Sequence, residues 1–308
     1  MHFIAFCFIY EQLALKPMKI WDILSLLRVH QWIKNLLIFA PPFFAGIFFN
    51  NIQIFIHMIL AFFCFSLISS STYIINDLTD INKDILHPTK KNRPIASGRI
   101  SIYFAVLILI VCLVSSILIS FKFGTNFLLV LALYLLLGIA YSLFLQYLVI
   151  LDSFTIAAGF VLRIMAGGFA SGTEVSSWLL LTTFVVSVLL AFGKRRFELS
   201  LVSSSKPFRK VLEDYNERFL DTGIMMFATT AIVTFAIYAV EIGKKEFLIS
   251  VPFACYGVLR YLHIVQKQNG ADPTDAFIKD KALAIAVFLW ILVSALIVYF
   301  NDILGLLR

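Results

Sequence analysis

Residues 71–101 read STYIINDLTDINKDILHPTKKNRPIASGRIS, and apolar residues flank this stretch on both sides for tens of positions. Four polar residues near its start, which we call the acidic cluster, are Asn76, Asp77, Asp80 and Asp84. On one continuous helix, Asn76, Asp80 and Asp84 would be spaced i, i+4, i+8 and would face the same way. Carboxylates that face one way repel each other unless a cation lies between them. The spacing therefore predicts a cation site at the end of an apolar helix.

Mg²⁺ suits this set of oxygen ligands, because it combines a few carboxylates with water and with the phosphate oxygens of a substrate. Mn²⁺ accepts the same ligands. The basic residues that follow, Lys90, Lys91 and Arg93, would suit a phosphate. The alternative is a solvated helix end whose aspartates pair with these same cations. We expect a phosphate ligand that is bound with Mg²⁺ or Mn²⁺.

The composition excludes an ordinary soluble domain, since 61% of the 308 residues are hydrophobic and 14% are charged. The apolar runs reach the roughly 20 residues that a bilayer-spanning helix needs. The four cysteines lie in apolar segments without a CxxC spacing, so they indicate neither a metal site nor a disulfide framework. The net charge of +7 is spread through loops, which fits a lipid bilayer and does not require nucleic acid.

We predict an all-α polytopic membrane protein, a bundle of about nine transmembrane helices that forms a single domain over residues 18–308. The predicted spans are 36–50, 53–76, 102–121, 126–145, 150–170, 177–193, 220–240, 247–265 and 282–300. Pro41 and Pro42 should kink the first span. An amphipathic interfacial helix is predicted over 19–34, anchored by Trp21 and Trp32. Residues 1–17 form an extension that need not be native, since Met18 opens a more natural start.

Basic residues predict the orientation of these spans. With the N-terminus in the cytoplasm, the loops 77–101, 194–219 and 266–281 lie inside and carry fifteen Lys and Arg residues, against four outside. Positive loops stay in the cytoplasm, so the acidic cluster is predicted to be cytoplasmic and the C-terminus external.

Several further residues are candidates for the site, and most of them allow two interpretations. Lys194, Arg195 and Arg196, in GKRRFEL at the end of the sixth predicted span, are either headgroup anchors or a phosphate-binding wall. Arg163 lies deep in a span, where a charge is costly and is expected to be functional. Asp152 is either a helix N-cap or a site residue, and Tyr141 either binds phosphate or is a buried interface tyrosine.

The last inside loop, QNGADPTDAFIKDKAL, also has two interpretations. Asp272, Asp275 and Asp280 could add acids to the site, or they could accompany a capped helix start with Thr274 as the N-cap. We favour the capped helix.

The chain from about Met18 resembles the UbiA superfamily of intramembrane prenyltransferases. The resemblance rests on NDxxDxxxD after the second span, from Asn76 to Asp84, and on RPIASG, from Arg93 to Gly98. Aromatic prenyltransferases of this superfamily carry a second motif, DxxxD, after the sixth span, where this chain has KRRFEL. With this departure, and with RVHQWIKN, YSLFLQYLVILD and AAGFVLRIMAGG elsewhere in the sequence, the chain resembles the decaprenyl-phosphate phosphoribosyltransferase branch of the superfamily.

That resemblance implies phosphoribosyl pyrophosphate as the donor, a polyprenyl phosphate as the acceptor and a bacterial plasma membrane as the location. Asn76 and the catalytic Asp77, Asp80 and Asp84 would hold Mg²⁺ on the pyrophosphate. Substrate-binding residues would be Arg28, Lys34, Asn35, Asn76, Lys91, Arg93, Tyr141, Arg163, Lys194 and Arg195. Relatives often carry a basic residue at the position of Gln146, so this chain departs from them there. A homo-oligomer is compatible with the sequence.

Two alternatives remain at this stage. An aromatic prenyltransferase fits the fold but would need the missing second DxxxD. A transporter would also have many spans, but its polar residues should be spread across the membrane depth. Here the polar residues cluster at the predicted cytoplasmic ends.

Overall fold

The computed structural model describes residues 19–49, 51–87, 90–202, 210–267, 276 and 279–300, and within those ranges it contains helices and no strand. The α-helices in chain order are α1 Ile20–Leu26, α2 Ala40–Phe44, α3 Ile52–Thr79, α4 Ile81–Leu86, α5 Ile102–Ser120, α6 Thr125–Leu143, α7 Leu151–Ser171, α8 Ser177–Val202, α9 Glu217–Glu241, α10 Val251–Lys267 and α11 Lys281–Val298. The all-α prediction is confirmed. The predicted extension 1–17 lies outside these ranges.

Eight helical segments are long and apolar enough to cross a membrane. They are Ile52–Thr79, Ile102–Phe123, Thr125–Leu143, Leu151–Ser171, Ser177–Leu201, Glu217–Glu241, Lys245–Lys267 and Lys281–Val298. Each corresponds to one predicted span, usually with a few more residues. A multi-span helical membrane protein is therefore confirmed.

The first predicted span, 36–50, is not one long α-helix. A 3₁₀ helix covers Val29–Phe39, and the short α2 follows it with Pro41 and Pro42 in its first positions. Proline lacks a backbone N–H and so suits the start of a helix, where no intrahelical partner is needed. The prolines therefore begin α2 and do not kink a longer helix.

The predicted interfacial helix 19–34 is also interrupted. The first helix, α1, ends at Leu26, and Arg28 follows with a φ of 50°. A left-handed backbone cannot continue a right-handed α-helix, so the chain turns at Arg28 before the 3₁₀ helix begins. Trp21 on α1 is exposed, as expected for an interface anchor.

The chain divides into two compact units, of which the first comprises 1–36 and 59–143. The described residues of this unit form an apolar core next to the loop after α4. It consists of Leu26, Ile74, Ile81, Ile95, Ile100 and Ala105. Within this unit, a side chain at Gly138 would collide with Thr72, so the glycine allows α6 to approach α3 closely. This packing fixes the surroundings of the acidic cluster.

The second unit comprises 37–58 and 144–308. Its described residues form two apolar clusters, one around Phe192 and Leu220 and one around Phe235 and Phe247. A Cβ at Gly167 would overlap the carbonyl oxygen of Ile38, so α7 packs directly on the backbone there. The small residues predicted to permit close helix packing in this span have that effect at Gly167.

Side-chain caps define several helix starts. Asn216 accepts from the amide of Phe219 at 2.7 Å, and Asp280 accepts from the amide of Leu283 at 2.8 Å. Asp280 also binds Arg260 through both carboxylate oxygens, and these bonds lower its pKa to about 2. Of the three aspartates in this loop, Asp280 therefore serves as a helix cap. The proposed cap Thr274, with Asp272 and Asp275, lies outside the described residues.

Candidate active site

The acidic cluster does not lie on one continuous helix. The long α3 ends at Thr79, and Asp80 precedes α4 with φ −101° and ψ 10°. The interruption is short, because the amide of Asp80 still donates to the carbonyl of Asn76 at 3.0 Å and the amide of Asp84 donates to that of Asp80 at 2.8 Å, so the i, i+4, i+8 spacing continues across it. The three carboxylates would repel each other without cations, and here Asp80 pairs with Lys83 while Asp77 and Asp84 pair with Arg93.

Asp77 and Asp84 converge on a single guanidinium. Arg93 Nη1 donates to Asp77 Oδ1 at 3.0 Å and to Asp84 Oδ2 at 2.6 Å. Arg28 Nη2 donates to the same Asp77 oxygen at 2.5 Å. Both aspartate side chains are 3% exposed, and the arginines are 20% and 24% exposed. Asp77 thus contacts both partly exposed arginines, and Asp84 contacts Arg93. We call these four residues the arginine-bridged site.

The other two members of the acidic cluster, Asp80 and Asn76, bind a lysine and a serine. Asp80 binds Lys83 at 2.9 Å, and this lysine is largely exposed. Asn76 Oδ1 accepts from Ser142 Oγ at 3.1 Å, a contact that joins α3 to the end of α6. Asp80 is therefore the aspartate of the cluster whose partner can leave at least cost, since exposed ion pairs contribute little.

The backbone next to Arg28 is attached to α3 through Ser70. Trp32 Nε1 donates to Ser70 Oγ, and Ser70 Oγ donates to the carbonyl of Leu27 at 2.7 Å. The Arg28 guanidinium also lies 4.7 Å from the centre of the Tyr73 ring, within range of a cation–π interaction. These contacts hold a left-handed residue, a conformation that costs on the order of 1 kcal/mol or more. Such strain at a charged residue is expected of a functional site.

Asn35 is 1% exposed, and its Nδ2 donates to Ser66 and Ser69 of α3. Its substrate-binding role stays a prediction, and the bonds described here attach the 3₁₀ helix to α3. Lys34 on the same helix is half-buried, as is Tyr141 near the end of α6. Lys91 is exposed on the short 3₁₀ helix Lys90–Asn92. Burial, together with Arg28 and Lys34, lowers the pKa of His30, which is therefore neutral at pH 7.

The residues of the acidic cluster suit a divalent ion. Among the described residues no group of three or more His, Cys, Asp or Glu stands close enough to hold a metal by itself. Asp77 and Asp84 nevertheless aim one oxygen each at the same Arg93 nitrogen, at 3.0 and 2.6 Å. Mg²⁺ needs one or two carboxylates, with water and substrate phosphate completing its shell. Two converging carboxylates that already face a positive charge meet that need.

In the second unit, Arg195 is a buried ion-pair partner. Arg195 Nε donates to Asp152 Oδ2 at 2.6 Å, and Nη1 contacts Glu198 one helical turn away. Asp152 is fully buried and Arg195 is 1% exposed. Phosphate binding by Arg195 stays a prediction, and it would require these bonds to open.

Tyr215 completes this buried group, which we call the Asp152 network. The Tyr215 hydroxyl donates to Asp152 Oδ1 at 2.8 Å and accepts from the amide of Ile150 at 2.7 Å. Burial and the Asp152 charge raise the pKa of Tyr215, so the hydroxyl keeps its proton. The network joins the start of α7, the end of α8 and the segment before α9. Asp152 is not the N-cap of α7, since Ile150 holds that position.

Arg196 and Lys194 flank Arg195 on α8. Arg196 donates to Asp221 at 3.0 Å and to Glu217 at 2.9 Å, so it ties α8 to α9. Lys194 is half-buried. Of the three cations predicted as a wall, Arg195 and Arg196 are thus bound by acids of their own unit, and phosphate binding by Lys194 stays a prediction.

Arg163 is buried within α7, as expected for a charge deep in a span. Its Nη1 donates to the carbonyl of Gly159 at 2.7 Å, and its guanidinium lies 5.1 Å from the Phe160 ring centre. A glycine at this position leaves room for the side chain to fold back along its own helix. Gln146, by contrast, is half-buried on the short 3₁₀ helix Leu145–Tyr147 and donates to the Tyr147 hydroxyl at 3.3 Å.

Sequence reasoning did not identify Tyr215 or Ser142. Tyr215 lies 63 residues from Asp152 along the chain, and Ser142 lies 66 residues from Asn76. No local spacing links such partners. The one available signal was chemical: an aspartate at the start of an apolar span and a cation at the end of another each require a buried counter-charge.

The chain matches the model of the UbiA prenyltransferase family over residues 39–292. It is 31% identical over 296 residues to a protein of Mycolicibacterium smegmatis named decaprenyl-phosphate phosphoribosyltransferase, with 91% of this chain and 93% of that protein covered. A protein of the same name from Corynebacterium glutamicum is 33% identical over 285 residues, covering 89% of this chain and 85% of the relative.

The fold is similar to that of a UbiA homologue from Archaeoglobus fulgidus, whose structure was solved bound to DMAPP and Mg²⁺. The TM-score is 0.71, and 89% of this chain and 98% of that protein are covered at 20% sequence identity. At this identity the similarity concerns the fold.

Proposed function

We propose, because the chain belongs to the UbiA prenyltransferase family, that it transfers a 5-phosphoribosyl group from phosphoribosyl pyrophosphate to a polyprenyl phosphate and releases pyrophosphate. The chain is a multi-pass integral membrane transferase. The observation that carries the choice of substrates is that relatives spanning most of the chain share the name decaprenyl-phosphate phosphoribosyltransferase. The absence of a second DxxxD motif at residues 194–199 supports the same choice.

The acidic cluster would bind the donor through a metal. Asp77, Asp80 and Asp84, with Asn76, would hold Mg²⁺, which when bound neutralises the pyrophosphate and so makes it a better leaving group. Arg28 and Arg93 already lie against these carboxylates and would turn to the phosphate oxygens. Lys34 and Lys91 would add charge around the 5-phosphate or the pyrophosphate.

The transfer needs no protein nucleophile. An oxygen of the acceptor phosphate attacks C1 of the ribose, the new C–O–P linkage forms, and the bond from C1 to the pyrophosphate oxygen breaks. The acceptor oxygen is already ionised at neutral pH, so no proton has to be removed. The role left for the protein is to place two anions close together and offset their repulsion.

Cations of the second unit would serve the anionic substrates. Lys194 would contact a phosphate, and Arg163 would be a further substrate-binding residue of this unit. Tyr141, which belongs to the first unit, is also proposed to bind substrate. Arg195 either shares that role or holds the end of α8 in place through Asp152. We propose the cytoplasmic orientation from the excess of Lys and Arg in the loops 77–101, 194–219 and 266–281.

An assay with purified components tests the proposal. The protein in detergent is incubated with phosphoribosyl pyrophosphate, a polyprenyl phosphate and Mg²⁺, and pyrophosphate release is measured. Release that depends on both substrates and stops in excess chelator is expected. Release without the lipid, or prenylation of an aromatic acid from a prenyl diphosphate with no reaction from the sugar donor, would refute it.

A further inference from the structure

We infer that Arg93 acts as an internal counter-ion that competes with the divalent metal for Asp77 and Asp84 until the donor's phosphates draw the guanidinium away. The inference rests on the proposed metal-bound donor. Arg93 then has a positioning role during substrate binding, before the chemical step. Metal and donor bind cooperatively because Arg93 must leave the two carboxylates and bind the phosphates of the donor.

The first support is the geometry of the arginine-bridged site. One nitrogen, Arg93 Nη1, lies 3.0 Å from Asp77 and 2.6 Å from Asp84. A cation that bridges two carboxylates occupies the position where a divalent ion would gain most from both. The guanidinium and a metal therefore cannot hold these oxygens together, and each weakens the binding of the other.

The second support is the difference between the two arginines. Leu27, next to the left-handed Arg28, is bound by the Ser70 hydroxyl of α3, and the Arg28 guanidinium lies over the Tyr73 ring. For Arg93 the backbone is fixed, since its carbonyl accepts from the amide and the hydroxyl of Ser97. Its side chain is 24% exposed and has a long flexible stem. Arg93 can thus move its charge by several ångströms while the loop stays in place.

The third support is energetic. Two carboxylates that are 3% exposed would repel each other strongly if neither had a partner. The bridge removes this penalty when no donor is bound. A phosphate oxygen offers the guanidinium an equally charged partner, so the exchange conserves ion pairs and proceeds without leaving a buried charge alone.

The test measures Mn²⁺ binding to the full chain in detergent, by the electron paramagnetic resonance signal of free Mn²⁺, with and without pyrophosphate. In Arg93→Gln we expect Mn²⁺ to bind about tenfold more tightly than in wild type without pyrophosphate, because a competing charge is gone. Pyrophosphate should then raise Mn²⁺ affinity less in the variant than in wild type.

Arg99→Gln is the matched control. Arg99 lies on the same loop, pairs with Asp22 at 3.2 Å and donates to the Ser97 hydroxyl and the Asn92 carbonyl, so its loss removes one positive charge but no bond to an aspartate of the acidic cluster. Equal tightening in this control, or unchanged or weaker Mn²⁺ binding in a folded Arg93→Gln protein, would overturn the inference. If Arg93→Gln does not fold by circular dichroism, Arg93→Lys replaces it. A lysine bridges two carboxylates poorly, so affinity should rise about threefold, and no rise is contradictory.

The two proposals fail differently. Mn²⁺ binding to wild type that needs pyrophosphate but ignores Arg93 refutes the inference and leaves the proposed function standing. No Mn²⁺ binding in any protein, even with pyrophosphate, refutes the metal-bound donor and the inference with it.

Discussion

The arginine-bridged site and the Asp152 network use the same chemical pair in opposite ways. In the first, Asp77 and Asp84 are buried but their arginines are 20% and 24% exposed. In the second, Asp152 and Arg195 are both buried, with 0% and 1% of their side-chain surfaces exposed. A guanidinium that reaches water can change partners, whereas one enclosed with its carboxylate holds helices in place. Exposure of the cation therefore separates the candidate catalytic pair from the structural pair.

The largest expected effect is on the first unit. Asp80→Asn should lower turnover by a factor on the order of 10²–10³, because a ligand of the proposed metal is lost. Thermal stability in detergent should hardly change, since the partner of Asp80 is an exposed lysine. Asp280→Asn, which removes an aspartate from the Arg260 pair, is the control and should keep its activity. Turnover of Asp80→Asn within threefold of wild type would remove the acidic cluster from the mechanism.

The next effect concerns the second unit. Asp152→Asn should lower the free energy of unfolding by about 3 kcal/mol, because Arg195 is left as a buried charge without its ion-pair partner. Adding Arg195→Met should restore part of that loss, and a double-mutant cycle measures the coupling.

The same variants decide the role of Arg195. If Arg195 binds donor phosphate, Arg195→Met should raise KM for phosphoribosyl pyrophosphate while stability stays close to wild type. A large rise in KM without destabilisation would contradict a structural role for the Arg195–Asp152 pair. Both regions would then bind substrate.

Lys194→Ala should have a smaller effect. We expect KM for phosphoribosyl pyrophosphate to rise about tenfold, the usual size for one charged contact to an anion. Measurement of kcat and KM in defined detergent separates this from loss of a headgroup anchor, which would reduce membrane insertion and leave both constants unchanged.

The prediction of spans from hydrophobic runs succeeded for eight helices, because length and apolar composition are local properties. The failures have a shared cause. The left-handed Arg28 lies beside a backbone carbonyl, that of Leu27, which is bound by the distant Ser70, and α3 ends at Thr79 within an otherwise helical pattern. A spacing of i, i+4, i+8 carries no record of a helix break. The motif therefore identified the candidate site residues, and tertiary contacts decided which cation faces which carboxylate.

The smallest expected effect is that of Tyr215→Phe. Loss of its bonds to Asp152 and Ile150 should cost about 1–2 kcal/mol and leave turnover within twofold of wild type. The pKa of Tyr215 is raised, so the unfolded chain loses this proton first as pH increases. Wild-type stability should then fall as pH rises above about 10, the usual tyrosine pKa, and less so in the variant. Identical alkaline profiles would show that the hydroxyl is not part of the network.

The most direct measurement of the central claim follows the phosphorus of the lipid. Polyprenyl [³²P]phosphate is incubated with unlabelled phosphoribosyl pyrophosphate, Mg²⁺ and the purified protein, and the products are separated by extraction. We predict that the label stays in a more polar lipid product while unlabelled pyrophosphate is released, and that Asp80→Asn converts the lipid at least about a hundredfold more slowly. Label in the aqueous phase, or an unchanged lipid while a prenyl diphosphate alkylates an aromatic acid, would contradict the account.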